Sequence, residues 1–168
     1  MAWNVNTDLV KGNDMFLFLV KLNEGQDMTS GTVSNAKVVA YATSCSLEIN
    51  ADTLDTTSKL SCRWNSVMQG NASYTVSSDA LYCKQSSASA NSAYTIDDLF
   101  EAMVDGDNIG WVMAQNSASC GEAIAIDTAS TYYYGTAAIT SLSINAGNNE
   151  IANSSISLTG DGKPEKVN

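Results

Sequence analysis

A mainly β protein, an antiparallel β-sandwich or barrel with one flanking α-helix, is predicted by three features of the sequence. Apolar and polar residues alternate with period two along most of the chain, serine, threonine and asparagine carry most of the polarity, and one stretch alone has helical spacing. At 168 residues the chain fits a single domain, residues 1–168, and shows neither an internal repeat nor a shift in composition that would mark a boundary. Only 15% of residues are charged, well below the usual quarter. Short hydroxyl side chains keep a β-surface wet at little entropic cost, which suits faces shared between subunits.

In chain order, residues 15–22 read as a strand and the polar, turn-rich stretch 23–36 as a long hairpin tip. From Val39 onward, Val39, Tyr41, Cys45, Leu47 and Ile49 share one face with Thr43, while Ala42, Ser44, Ser46 and Glu48 share the other. This is read as one long, half-buried strand. Residues 51–72 lack a period and read as a loop. Leu54, Leu60, Trp64, Val67 and Met68 are costly to leave in water there, so the loop is expected to dock on something. Residues 73–83 give the next strand, on which Thr75, Ser77 and Asp79 fall on the face matching Ser44, Ser46 and Glu48.

The helix is expected at about 96–105. Thr95 caps it, Asp98 completes an acidic first turn, and Gly106 ends it. Leu99, Phe100, Met103 and Val104 form an apolar stripe, read as packing on a sheet. Strands follow at 109–115, 137–144 and 150–159, the last two joined through the turn-rich 145–149 as a hairpin. The segment 160–168, with Lys163-Pro164-Glu165-Lys166, reads as a flexible C-terminal tail.

The net charge is −10, and between Lys84 and Lys163 there is no basic residue, so affinity for a phosphate backbone is not expected. The chain has no histidine, which removes the commonest general base and metal ligand. No nucleophile elbow, phosphate loop or zinc helix is present, so neither catalysis nor a cofactor is expected. Asp105-Gly106-Asp107-Asn108 resembles a fragment of a calcium loop without its later ligands, and reads as a helix stop followed by a turn. Cys45, Cys62, Cys83 and Cys120 lack metal-site spacing and are expected as free thiols. Neither a signal peptide nor a membrane span is read in the chain. The run Tyr132-Tyr133-Tyr134 leaves open a carbohydrate-binding β-module as another class of function.

The segment Ala-Thr-Ser-Cys-Ser-Leu-Glu-Ile-Asn-Ala-Asp-Thr at 42–53, continuing to Lys59, resembles the signature of phage major tail proteins of the lactococcal siphophage type. The resemblance recurs in order along the chain. It includes Ser73–Tyr82, Tyr94–Met103, Tyr134–Ala146 with Glu150–Ala152, and Lys11–Leu17. Two departures stand out: a longer stretch at 23–36, and Leu60-Ser61-Cys62 where the family pattern has Asp-Ser-Gly.

The resemblance implies a structural protein of the virion tail, assembled in the host cytoplasm. Hexameric rings would stack into a hollow tube, each chain lending about four strands to an inner barrel of roughly 24. The loop at 51–72 would be the inter-ring contact, through Leu54, Leu60, Arg63, Trp64, Val67 and Met68. Ser44, Ser46, Glu48, Thr75, Ser77 and Asp79 would face the lumen, through which genomic DNA passes without specific binding. Partners would be further copies of the chain, a tape measure protein, a tail terminator and distal tail or baseplate proteins, with no membrane involved. The inner tube of a contractile tail or injection system is the alternative within the same fold.

Overall fold

The computed structural model describes residues 9–23, 25–59, 61, 64–83, 93–118 and 124–168. Among these residues eight strands and one α-helix follow in the order β1 (Met15–Lys21), β2 (Lys37–Val39), β3 (Ala42–Asp55), β4 (Val67–Leu81), β5 (Ala93–Tyr94), α1 (Ile96–Asp105), β6 (Ile109–Gln115), β7 (Tyr132–Asn145) and β8 (Asn153–Val167). They form a single sheet of order β3-β4-β8-β7-β6-β1-β2-β5. Every pair is antiparallel except β2 with β5, which is parallel. The expected mainly β fold with one flanking helix is what the chain adopts, its strands forming one curled, mostly antiparallel sheet.

The curl follows from the side-chain pattern. Tyr74, Val76, Ile156, Leu158 and Ala137 from the long strands share a core with Leu17, Leu19, Ile109, Trp111 and Met113 from β1 and β6. Ile96, Leu99 and Ala102 of α1 seal this core. Burying a side chain such as Leu158 or Val76 contributes about 1.5–3 kcal/mol. The alternate residues Phe18, Val20, Val112 and Ala114 face a second core with Tyr132 and Tyr134. Both faces of β1 and β6 are thus covered, which explains why these strands read as continuous apolar runs.

The expected hairpin tip at 23–36 connects the antiparallel strands β1 and β2, and two of its side chains fold back onto that second core. Met28 and Val33 are buried, and the Met28 amide donates to Thr136 Oγ1 at 2.8 Å. The segment packs because these two side chains recover solvent-exposed area that a polar tip could not. Gly110 makes the fit possible, since a Cβ there would lie 2.5 Å from Met28 Sδ and 2.6 Å from Val20 Cγ1.

Three expectations change. The run from Val39 is two strands, because Tyr41 adopts φ 52° and turns the chain between β2 and β3. Tyr41 is consequently exposed, and so is Ile49. Residues 51–72 are largely the ends of β3 and β4, which pair through Asp55 and Val67; only 56–66 connect them. Residues 160–168 continue β8 to Val167 rather than forming a flexible tail, because Tyr132, Tyr133 and Tyr134 of β7 supply pairing partners for Val167, Lys166 and Glu165. Beyond Thr159, β8 is no longer paired with β4, so Pro164 falls on an edge, where a missing amide is tolerated.

Candidate functional site

Four long strands, β3-β4-β8-β7, form the half of the sheet whose outer face is polar. The register sets Ser44, Ser46 and Glu48 of β3 opposite Asp79, Ser77 and Thr75 of β4. Those three in turn face Ser155, Ser157 and Thr159 of β8, and Ser155 and Ser157 face Ser143 and Ser141 of β7. Serine rows therefore cross the sheet. Hydrogen bonds tie them together: Ser44 Oγ donates to Asp79 Oδ2 at 2.8 Å, Ser46 and Ser77 hydroxyls meet at 2.7 Å, and Ser143 and Ser155 at 2.7 Å. Glu48 and Asp79 supply the only charges at these registered positions, and none is basic. Ser141, Ser143, Ser155 and Ser157 were not singled out from the sequence, although the Ser-Leu-Ser and Ser-Ile-Ser alternation signals them.

Both edges of this four-stranded half lack a partner among the described residues. β3 pairs with β4 alone. β6 reaches only Ala137 of β7, so residues 138–145 are hydrogen-bonded to β8 on one side and open on the other. Soluble monomers commonly blunt such edges with lysine, proline or bulges. β3 carries neither lysine nor proline, and its two register shifts lie at Ala42/Ser44 and Ala51/Thr53, which leaves the stretch between them regular. The curl does not pair this edge with β1 either: the two strands touch where Cys45 Sγ donates to the Met15 carbonyl at 3.8 Å, and an open cleft of about 880 Å³ lies between them, lined by Met15, Leu17, Cys45 and Leu47 among others.

Past the Thr75–Thr159 pair, β3 and β4 continue as a two-stranded ribbon without β8. At about 3.3 Å per residue it projects roughly 25 Å. Its far end is pinned by Thr56 N–H donating to Ser66 O at 2.8 Å and Thr57 N–H donating to Asp55 Oδ1 at 2.7 Å. The Thr57 hydrogen bonds hold the Asp55 carboxyl below its usual range. Leu54, Val67 and Met68 are exposed on the ribbon, and Trp64 at its tip is 83% exposed. Leu60 and Arg63 lie outside the described residues.

Thr95 and Asp98 form a reciprocal capping box on α1, and Gly106 ends the helix at φ 77°. Lys21 fastens its far end through ion pairs of 3.4 Å to Asp105 and 2.7 Å to Asp107. Of the expected packing stripe, Leu99 alone is buried. Phe100, Met103 and Val104 are exposed, and the inward face is Ile96, Leu99 and Ala102. The correction has a geometric cause: the helix bears two apolar stripes, and the narrower one, with the small Ala102, fits against the sheet.

Cys45 and Cys83 are free thiols, and Cys62 and Cys120 lie outside the described residues. Burial pushes both described thiols upward, aided at Cys83 by nearby Asp97. Among the described residues no group of three or more potential metal ligands occurs, and no helix is long and apolar enough to cross a membrane.

A curled sheet with unpaired edges among the described residues, a polar face and a projecting ribbon defines the class of protein: a mainly β subunit whose sheet is left open at both ends of its long-stranded half. The chain belongs to the phage tail tube protein family, whose model matches residues 9–166. Among solved structures, it is similar to a chain from the "tail of empty GTA particle", refined with C6 symmetry (TM-score 0.66, 15% identity, covering 95% of this chain and 100% of that one). It is also similar to the SPP1 tail tube protein (TM-score 0.65, 12% identity, 94% and 78%). A chain of the anti-feeding prophage baseplate has the same fold (TM-score 0.57, 9% identity, 96% and 96%). Comparison with curated proteins gives no match.

Proposed function

We propose that this chain is the major tail tube protein of a phage with a non-contractile tail, and that hexameric rings of it stack into a conduit for genomic DNA. The observation that carries this reading is the pair of open edges on the β3-β4-β8-β7 half. Pairing β3 of one copy with residues 138–145 of the next continues the sheet and satisfies the backbone groups of both edges. Six chains of four strands make about 24, which at about 4.8 Å spacing and a tilt near 40° closes a barrel roughly 45–50 Å across. The C6 symmetry used for the GTA tail supports that copy number.

In such a barrel the serine rows with Glu48 and Asp79 line the lumen, while the apolar face lies toward the subunit core. The β3–β4 ribbon projects along the tube and makes the inter-ring contact. The role is structural rather than catalytic. Partners are further copies, with tape measure, terminator and baseplate proteins at the ends of the tail. Electron microscopy of the purified protein at rising concentration tests the reading: rings and tubes are expected, and a species that stays monomeric at about millimolar concentration contradicts it. A sheath protein co-purifying on the outer surface would favour the contractile alternative, a fold-level possibility raised by the anti-feeding prophage neighbour.

A further inference from the structure

The stripe on the outer side of α1 lies outside both cores of the described residues. Phe100, Met103 and Val104 stand at helical spacings of three and four and so form one continuous patch. Beside it lie Glu101 and Asp105, and the helix bears no basic residue. Apolar side chains clustered on a surface mark an interaction site, and the acidic border sets a condition on what covers it: an apolar group accompanied by positive charge.

The same chain carries that counterpart. Leu54, Trp64, Val67 and Met68 are exposed at the ribbon tip, and the exposed Lys59 in the connection, near the exposed Asp52 and Asp55, is the one described cation there and has no ion pair among the described residues. The two surfaces sit at opposite ends of β4. The tip follows Asp55 and precedes Val67, whereas the helix begins beside Tyr82, just past Leu81, whose successor's hydroxyl donates to Asp97 Oδ1 at 3.4 Å. Fifteen strand residues separate them by about 50 Å. Within one subunit they therefore do not meet, and a translation along the strand direction brings the tip of one copy toward the helix of another. Two complementary patches at opposite ends of a subunit give a heterologous contact that propagates rather than closes.

We propose that the Phe100–Met103–Val104 stripe of α1 is the receiving surface for the β3–β4 tip of a second copy in the adjacent ring. This rests on the tube reading above and names the surface that the ribbon meets. The test uses two full-length variants changed only at exposed positions, Met103→Asp/Val104→Asp on the helix and Trp64→Asp/Met68→Asp on the tip. Each alone is expected to form rings but at least tenfold less tube, measured by sedimentation and micrographs. Mixed in equal amounts, they retain one intact tip-to-helix contact, so paired rings of twice the ring mass are expected, without further growth. Helix-variant tubes at the wild-type level, or blocked variants whose mixture gives no ring pairs, overturn the proposal. Should either variant fail to fold, Glu101→Lys and Lys59→Glu are expected to slow elongation singly and restore it together at low salt; no restoration overturns it equally. Wild-type protein that never elongates contradicts the tube reading instead, and so the two failures are distinguishable.

Discussion

Ser44 and Asp79 face each other across β3 and β4, the serine hydroxyl donating to the carboxylate at 2.8 Å. With Glu48 two rows away opposite Thr75, Asp79 gives the polar face its negative charge. In the proposed ring, these carboxylates would repel a phosphate backbone that comes within a screening length of about 8 Å. Glu48→Lys with Asp79→Lys is therefore expected to leave tube assembly intact and to slow genome ejection from the particle, most at low salt. Ejection at the parental rate under those conditions sinks the lubricating role.

The ribbon is expected to matter for stacking and little for folding. Replacing residues 56–66 by Asn-Gly closes the Asp55–Val67 pair with a tight turn and removes Trp64. The product should show an unchanged melting temperature, form rings and yield no tubes. Normal tubes from it would refute the ribbon as the inter-ring contact.

Tyr74 lies over Gly160, where an added Cβ would fall 2.1 Å from the ring Cζ. The same ring contacts Trp111 at 5.5 Å between centroids, and its hydroxyl donates to the Thr136 carbonyl. Gly160→Ala is thus expected to force this buried aromatic aside and cost about 1–3 kcal/mol, visible as a lower urea midpoint at constant slope. A loss below about 0.5 kcal/mol would show that the ring is not held there.

Tyr134 donates its hydroxyl to Glu165 across β7 and β8, and this bond, aided by burial, pushes the tyrosine up to about 12. Unfolded tyrosine ionises near 10, so the neutral hydroxyl favours the folded state below that pH, and its contribution is lost as pH rises from about 10 toward 12. Tyr134→Phe should be less stable at neutral pH and show a shallower loss of stability across that alkaline window. Parallel melting curves for the two proteins would count against the bond.

How far the sequence speaks depends on whether a signal is local. The helix at Thr95–Gly106 was legible to the residue because capping box and left-handed stop are short-range chemistry. Its orientation was not, since Phe100 and Val104 are as apolar as the buried Leu99 and only the sheet decides which side fits. The co-facial set Ser44, Ser46, Glu48, Thr75, Ser77 and Asp79 was legible from period two alone, and the register places them opposite one another. The turn at Tyr41 carried no glycine or proline to announce it. The ribbon at 51–55 and 67–72 was read as loop because both its faces are largely exposed in the single chain, which removes the alternation that marks a half-buried strand.

A side-chain-resolved helical reconstruction of tubes assembled from this protein tests the central claim most directly. β3 of one copy is expected to be hydrogen-bonded to residues 138–145 of its neighbour, with Glu48 and Asp79 on the inner wall. A map in which those edges remain unpaired, or in which both carboxylates lie on the outer surface, would contradict it.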